Sequence, residues 1–365
     1  MAIYTLFVYP LIALILAAIV RKKVAKKSIV PTVSFIIAAY NEENSIAEKI
    51  EQTLNLDYPK DKLEVIVASD GSTDRTDEIV RSFADRGVKL NRVEGRKGKD
   101  NALNETAELA TGEILIFSDA TGIYNKQAIR ELAANFSDPT VGCVTGRVAY
   151  RYGGDANSRG FRAYQRTAVA IRKAEMHFGS QTSVSGSIHA VRRSIFRPAT
   201  MSPDVTDALS SVIQGYRVVY ESNAVSLEES RYSLKNEFRC RLRMGVRATS
   251  VIFYILAQLC RHRKFGYAAQ MISHKILRWW LWCWLLVAFV TNLLLAPSSS
   301  FYMTLAVVQT LFYLTGLVGL LLAGLGLSVP VLSSIVFFVV GNVAMGVGAV
   351  KCLAGKRMGA WEPVR

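Results

Sequence analysis

The chain has 365 residues, of which 51% are hydrophobic and 20% charged, and its formal net charge is +15. Its positive mean hydropathy excludes an ordinary soluble domain and predicts a globular part joined to membrane helices. Five widely spaced cysteines without a Cys-x-x-Cys pair indicate neither a disulfide framework nor a zinc site. The basic residues gather beside apolar segments, so they indicate anionic membrane lipids and no nucleic acid as partners.

The first apolar segment, residues 4–20, is followed at once by a basic cluster at residues 21–27. A cleavable signal peptide has its basic residues in front, so we expect an uncleaved anchor. Basic residues gather on the cytoplasmic flank of spanning helices. We therefore predict a multi-pass protein of the inner or plasma membrane, with its N-terminus outside and the following domain in the cytoplasm.

The domain after the anchor alternates short β-rich runs with amphipathic helical stretches, which is typical of βαβ units and a mostly parallel sheet. The predicted strands are residues 33–39, 63–69, 113–118, 141–148 and 216–224. The predicted helices are residues 43–54, 73–84, 100–110 and 126–136. In such an α/β fold the ligands lie at the carboxyl ends of the strands.

Polar clusters follow the strands in order: Ala39-Tyr40-Asn41-Glu42, Asp70-Gly71-Ser72-Thr73-Asp74, Gly98-Lys99 with Ala102-Leu103-Asn104, and Ser118-Asp119. Singly, an Asp-Gly turn before a helix cap is a common structural device. Together, the clusters resemble the family-two inverting glycosyltransferases of the GT-A fold. With the C-terminal apolar block, they are most similar to the membrane synthases of cellulose, chitin, hyaluronan and chitooligosaccharides. The resemblance implies an α/β GT-A domain inserted between transmembrane helices.

The same resemblance implies a nucleotide diphosphate sugar, with UDP as the expected nucleotide, as the donor. Tyr40, Glu42 and Asp70 would hold the base and ribose, and Lys99 would lie near the diphosphate. A carboxylate can accept a uracil N–H, and a lysine neutralises phosphate charge. Tyr40 as a rim or core tyrosine and Lys99 as a solvated helix start are the structural alternatives.

Asp119 ends an apolar strand and resembles the first acid of the family's DxD metal motif. The resemblance implies Mg2+ or Mn2+ as cofactor, because both ions prefer carboxylate oxygens and bridge to phosphates. Thr121 stands where the second acid is expected, so a hydroxyl, water, phosphate or another residue must complete the metal shell. A loop or capping acid is the structural alternative for Asp119.

An inverting transfer is a single displacement that needs a general base on the acceptor hydroxyl. Thr206-Asp207 resembles the family's TED or DD motif, so we predict Asp207 as the base, with Asp204 as the weaker candidate. A capping role for both acids in a helix ending at Ile213 is the structural alternative. The small-residue stretch before them resembles the segment that lines the acceptor site, with Gly186 as its key residue, and we expect the nearby His189 to be structural.

Residues 237–244 occupy the place of the family's QxxRW motif, but only Arg243 matches. Cys240 stands in place of Gln and Met244 in place of Trp. Arg243 can still neutralise the leaving diphosphate, whereas the altered neighbours put processive synthesis in doubt. A basic interfacial helix is the structural alternative.

The membrane-facing part begins with amphipathic interfacial helices at residues 248–278. Three spans are predicted in the apolar block 279–350, at residues 279–296, 301–323 and 329–350. Three crossings place the basic tail, residues 351–365, outside, so either one span is re-entrant or the tail is external. The predicted domains are 1–27 (anchor), 28–247 (GT-A domain), 248–278, 279–350 and 351–365.

The sequence is compatible with three functions. The first is an inverting hexosyl- or N-acetylhexosaminyltransferase that extends a polysaccharide or oligosaccharide at the membrane. The second is a transferase that glycosylates a lipid carrier or glycolipid. The third is an inactive nucleotide-binding partner subunit, suggested by Thr121 and the altered QxxRW segment. Retention of Asp70, Asp119 and Asp207 argues against the third.

Overall fold

The structure is a computed structural model that describes residues 1–152, 158–198, 202–230, 233–325, 327 and 329–355. Of residues 152, 158–164, 229–230 and 330 it describes the backbone alone. Most of the predicted basic tail lies outside the described residues.

An eight-stranded sheet forms the centre of the globular part, in the spatial order β3-β2-β1-β4-β7-β6-β8-β5. The strands are β1 (Val33–Ala39), β2 (Leu63–Ser69), β3 (Val88–Arg92), β4 (Ile114–Asp119), β5 (Ile123–Tyr124), β6 (Val141–Tyr152), β7 (His189–Arg192) and β8 (Arg217–Ser230). The neighbours β1, β2, β3 and β4 run parallel, and so do β6 and β8. The short strands β5 and β7 run antiparallel to their neighbours.

Helices cover both faces of the sheet and form the apolar C-terminal part. They are α1 (Tyr9–Val20), α2 (Ile46–Leu54), α3 (Thr76–Arg81), α4 (Lys99–Leu109), α5 (Ala128–Ala134), α6 (Ser158–Phe178), α7 (Pro203–Ile213), α8 (Leu234–Arg261), α9 (Phe265–Met271), α10 (Leu277–Trp279), α11 (Leu281–Leu295), α12 (Ser300–Gly324) and α13 (Pro330–Leu353). Every residue of β1 is buried, because a central parallel strand is covered on both faces. One core contains residues of α2, α3 and α5, and the other contains residues of α4, α7, α8 and α9.

The predicted boundaries of β1 and β2 agree with the structure at every residue. The prediction of a mostly parallel sheet is confirmed by the pairings β1–β2, β1–β4, β2–β3 and β6–β8. The short strand β7 separates β4 from β6 in antiparallel pairing. Sequence reading missed β7 because His189 and Arg192 interrupt its apolar pattern. It also missed β3, whose side chains are only partly buried beyond Val88.

Helix α8 runs without a break from Leu234 to Arg261. The domain boundary predicted at residues 247 and 248 therefore falls inside one helix. Glycines allow α8 to approach α13 backbone to backbone: a Cβ added at Gly245 would lie 2.5 Å from the Met345 carbonyl oxygen, and one at Gly348 would lie 2.3 Å from the Leu242 carbonyl oxygen. This contact ties α8, which also packs on the sheet, to the apolar C-terminal helices.

Among the described residues, three helical segments are long and apolar enough to cross a membrane by length and composition: Leu281–Ser298, Ser300–Gly324 and Val331–Leu353. Each overlaps one predicted C-terminal span, and large apolar side chains such as Leu294 and Phe301 are exposed on them. Apolar surface of this extent indicates lipid as the surrounding medium.

The N-terminal apolar helix Tyr4–Val20 is shorter than these three. It packs on α6 through Ala13 and Ile171, and Tyr9 donates a hydrogen bond of 2.6 Å to Glu175 Oε1. The same carboxylate oxygen contacts His274 Nδ1 at 2.7 Å. This buried cluster joins the N-terminal helix to the segment that leads into the C-terminal helices.

We predict that Gly348→Ala destabilises the protein by about 1–3 kcal/mol, because the new methyl group would overlap the α8 backbone. Gly266→Ala is the control, since no atom lies within 4 Å of its added Cβ. Thermal unfolding in detergent should show a lower Tm for the first variant alone. Equal Tm values would contradict the close packing of α8 on α13.

Candidate functional site

The carboxyl ends of β1, β2 and β4 meet at one edge of the sheet. The register pairs Ala39 with Ser69 and Ala38 with Asp119. Asp70, Tyr40 and Asp119 therefore lie in this order across the edge of the sheet. The sequence predicted that the polar clusters would meet at one edge. Parallel strands place their following loops on the same side of a sheet, so the polar clusters converge although long stretches of chain separate them.

Asp70 holds the loop that leads into α4. Its buried carboxylate accepts the backbone N–H groups of Lys97 and Gly98, both at 2.9 Å. Gly71, at φ +67°, allows the two turns to touch, because a Cβ there would lie 2.5 Å from the Gly95 carbonyl oxygen. Asp70 thus fixes the position from which the Lys99 side chain starts.

Tyr40 and Glu42 line the neighbouring turn after β1. The Arg96 guanidinium lies over the half-buried Tyr40 ring, 4.2 Å from its centroid. The Glu42 carboxylate accepts a hydrogen bond of 2.6 Å from Ser45 Oγ, and its backbone N–H donates to Thr76 Oγ1 at 2.7 Å. An aromatic face and a carboxylate beside the Asp70 loop are suited to a flat, hydrogen-bonding ring, so the nucleotide-binding role stays a prediction for both residues.

Lys99 and Asp119 form an ion pair between the start of α4 and the end of β4. Asp119 Oδ2 also accepts a hydrogen bond of 2.9 Å from Ser187 Oγ. Burial disfavours the charged form of each partner, but the attraction within the ion pair outweighs burial. The pKa of Lys99 is therefore raised and the pKa of Asp119 is lowered. Both groups are therefore charged at neutral pH.

A fully buried lysine that sequence reading missed supports the loop after β4. Lys49, on α2, donates a hydrogen bond to the Gly122 carbonyl oxygen and lies 4.1 Å from the centroid of the Tyr124 ring. Burial lowers the pKa of Lys49 to about 7. The one signal in the sequence is its position between Ile46 and Ile50 on the apolar face of α2.

Gly186 lies between the candidate base segment and the lysine. A Cβ added to Gly186 would lie 2.9 Å from Asp204 Oδ1 and 3.6 Å from Lys99 Nζ. The Val184 N–H donates to the Asp204 carbonyl oxygen at 2.7 Å, which ties this small-residue segment to the start of α7. The predicted acceptor segment and the predicted donor side are therefore adjacent.

The two candidate bases lie in different surroundings. Asp204 is exposed on the first turn of α7. Asp207 is only 5% exposed and faces His189, itself 2% exposed, across a distance of 3.1 Å from Oδ2 to Nε2. A base must reach the acceptor hydroxyl, so the exposure of Asp204 favours it over Asp207, the residue that the sequence reading preferred.

A second hydrogen bond of His189 indicates where the protons lie in the Asp207–His189 pair. His189 Nδ1 lies 2.8 Å from the Ser185 carbonyl oxygen, which only accepts, so Nδ1 carries a proton. One further proton is then shared between Nε2 and Asp207, and burial raises the pKa of Asp207. His189 also stacks on Phe117, with ring centroids 4.9 Å apart. The pair is part of the domain interior, in line with the structural role expected for His189.

Arg243 lies on α8, about one helical turn before Arg247. Arg247 interacts electrostatically with Asp100, the neighbour of Lys99 in α4. Residues four positions apart lie on the same face of a helix, so Arg243 shares the α8 face from which Arg247 acts on the start of α4. Sequence reading selected Arg243 from a motif and missed Arg247.

The residues around Asp119 fit a divalent cation that a diphosphate helps to hold. Within the described ranges, no group of three or more His, Cys, Asp or Glu side chains is placed to hold a metal by protein atoms alone. Thr121 is exposed and supplies no carboxylate. Glu228 interacts electrostatically with Asp119. Its buried Oε1 atom has no hydrogen-bond partner among the residues that the structure describes. Mg2+ is commonly held by one or two carboxylates together with substrate phosphates.

Comparison with known proteins agrees with this geometry. Residues 34–198 match the family described as Glycosyl transferase family 2. The chain is 25% identical over 203 residues to a poly-beta-1,6-N-acetyl-D-glucosamine synthase of Staphylococcus epidermidis, covering 53% of this chain and 48% of the relative. It is 31% identical over 166 residues to a beta-monoglucosyldiacylglycerol synthase of Synechocystis sp., covering 44% of this chain and 33% of the relative. The chain thus spans about half the length or less of these relatives.

The fold resembles that of a mannosyltransferase, PcManGT from Pyrobaculum calidifontis, solved with GDP-Man and Mn2+. The TM-score is 0.64 at 22% sequence identity, and the match covers 96% of both chains. Together with the family match, this likeness confirms the predicted GT-A-like fold class joined to apolar helices.

We predict that Asp70→Ala weakens nucleotide binding about tenfold or more, because the loop before Lys99 loses two charge-assisted hydrogen bonds. Calorimetry with the nucleotide diphosphate alone measures this effect. Asp61→Ala, in the short helical turn before β2, is the control. Wild-type affinity in Asp70→Ala would contradict the role of this loop.

Proposed function

We propose that the chain is a membrane-bound, inverting glycosyltransferase, and the match of residues 34–198 to the family described as Glycosyl transferase family 2 supports this proposal. It takes a sugar from a nucleotide diphosphate sugar and adds it to an acceptor at the membrane. The observation that carries the proposal is the meeting of three elements at one edge: the Asp70 loop, the Lys99–Asp119 pair, and Asp204 beside Gly186.

On the donor side, Tyr40, Glu42 and Asp70 hold the base and ribose, with a uridine diphosphate as the proposed nucleotide. Lys99 neutralises the diphosphate. Lys99 directly follows the loop that Asp70 holds, and its ammonium group lies beside Asp119. A divalent ion, Mg2+ or Mn2+, supplies positive charge for the departing diphosphate when bound. Asp119 is the residue that would hold it, and Lys99 then exchanges its carboxylate partner for phosphate oxygens.

On the acceptor side, Gly186 leaves room for a sugar next to the base. We propose Asp204 as the base, with Asp207 as the alternative that the sequence reading preferred. Asp204 is exposed and lies near Lys99 and Gly186, so a hydroxyl that contacts Asp204 can also face the donor sugar. Asp207, held by His189, would then stabilise the first turns of α7.

The face of α8 that carries Arg243 and Arg247 supplies further positive charge for the diphosphate. The same helix exposes Phe253 by 80%, and the following α9 exposes Phe265 by 63%. Exposed aromatic rings beside basic residues suit the membrane–water boundary. The acceptor is therefore approached from the membrane surface.

We propose a growing polysaccharide or oligosaccharide as the acceptor, on the cytoplasmic face of a multi-pass membrane protein. The basic residues 21–27 support this orientation, and a polymer synthase is among the chain's relatives. A lipid carrier or glycolipid is the second candidate, favoured by Cys240 and Met244 in place of the Gln and Trp of the QxxRW motif. A glycolipid synthase is also among the relatives.

The proposal predicts that the purified protein, reconstituted in lipid with Mg2+ or Mn2+, releases nucleotide diphosphate from one or more nucleotide sugars. Asp119→Ala should abolish this release and the metal-dependent part of donor binding. Product size separates the two acceptors, since a polymer supports the first and a single lipid-linked sugar the second. Unchanged turnover in Asp119→Ala would remove the metal assignment.

For the base, we expect Asp204→Asn to slow turnover by about a hundredfold or more, the usual size of a general-base contribution. Asparagine keeps the shape but cannot accept the acceptor proton, so donor and metal affinity should persist. Asp207→Asn should lower the Tm and leave turnover close to that of the wild type. The reverse result, with turnover lost in Asp207→Asn alone, would return the base to Asp207.

A further inference from the structure

Thr121 leaves the loop after β4 one carboxylate short, and strand pairing brings an acid to that loop from a distant part of the sequence. Strand β5 pairs antiparallel with β8, with Ile123 opposite Leu227 and Tyr124 opposite Ser226. One step further along this register, Gly122 lies opposite Glu228. The strand comes close at this point, because a Cβ added at Gly122 would lie 2.5 Å from Ser226 Oγ.

The Glu228 carboxyl belongs to the same electrostatic cluster as Asp119. It interacts with Asp119, Lys99 and Lys49, and it shares the Ser187 hydroxyl with Asp119. Its Oε1 atom is buried and has no hydrogen-bond partner in the described part of the chain. An acceptor that is buried without a partner raises the free energy of the folded state, so this oxygen is matched to a group that arrives with the substrate.

The two lysines divide the roles in this cluster. Lys49 is fully buried and fixed by the Gly122 carbonyl oxygen and the Tyr124 ring, so it stays in place. Lys99 is the first residue of α4, and its side chain is partly exposed where it pairs with Asp119, so a diphosphate can replace Asp119 as its partner. Once Lys99 pairs with the diphosphate, Asp119 and Glu228 are left with Lys49 as the only lysine of this described cluster, so the acids outnumber the base and attract a divalent cation.

We propose that Glu228 is the second carboxylate ligand of the divalent cation that Asp119 holds, in place of the acid absent at Thr121. The proposal rests on the proposed function, which supplies the nucleotide diphosphate. Within it, the metal shell is assembled from two distant strands, β4 and β8, instead of from one short DxD loop.

The test is Mn2+ binding in the presence of uridine diphosphate, followed by electron paramagnetic resonance of free Mn2+ on the full-length protein in detergent. We expect Glu228→Gln to weaken Mn2+ binding about tenfold or more, because even residues outside the first metal shell cost 10–100-fold when changed. Glu108→Gln makes the same chemical change at an exposed position of α4 and should bind Mn2+ as the wild type does.

A rescue separates a metal ligand from a mere counter-ion of Lys49. Under the proposal, Thr121→Asp combined with Glu228→Gln regains Mn2+ affinity, because it returns the second carboxylate to the loop. If Glu228 only balances Lys49, the single variant lowers the Tm while Mn2+ affinity is unchanged, and the proposal is overturned. If Glu228→Gln folds poorly, Glu228→Asp keeps the charge but shortens its reach; equal Mn2+ affinity in that variant also overturns it.

The outcomes distinguish this inference from the function on which it rests. A wild-type protein that binds uridine diphosphate but no Mn2+ contradicts the metal assignment of the proposed function together with the ligand role of Glu228. If the wild type and Glu228→Gln bind Mn2+ equally tightly, the proposed function remains and only the ligand role of Glu228 is contradicted.

Discussion

The ion pair between Lys99 and Asp119 is the interaction around which the site is arranged. It joins the first residue of α4 to the last residue of β4, and it exists because Asp70 holds the loop before α4 by its backbone amides. Two opposite charges in partly buried surroundings stabilise each other only while both are present. In the proposed function, a diphosphate replaces Asp119 as the partner of Lys99, which couples donor binding to the acids around the pair.

The membrane helices and the site are parts of one packed structure. Helix α8 contributes Val251 and Ile255 to the core beneath the sheet, while its Gly245 closely approaches α13. On the other side, Tyr9 of the N-terminal helix, Glu175 and His274 form a buried cluster. The position of the arginine-bearing face of α8 therefore depends on the apolar helix α13, which packs directly on α8.

Three acids near the site have the same chemistry but different surroundings, and the surroundings separate their roles. Asp204 is exposed at the start of α7, Asp207 is buried against His189, and Glu228 has a buried oxygen without a partner within the described residues. Sequence reading could not rank Asp204 and Asp207 by exposure, because both lie in the same helical turn. Which face of α7 meets solvent is decided by the strands and helices that pack on it.

The sequence by itself determined the α/β alternation, the boundaries of β1 and β2, the polar strand ends and the apolar C-terminal segments. Each of these depends on local periodicity or on a short motif, so neighbours in the chain suffice to recognise it. Only the tertiary structure decided the antiparallel placement of β7, the burial of Lys49 and Asp207, and the approach of Glu228 to the loop at Thr121. Those features are contacts between residues far apart in the chain, and strand register and packing, which local patterns do not encode, bring them together.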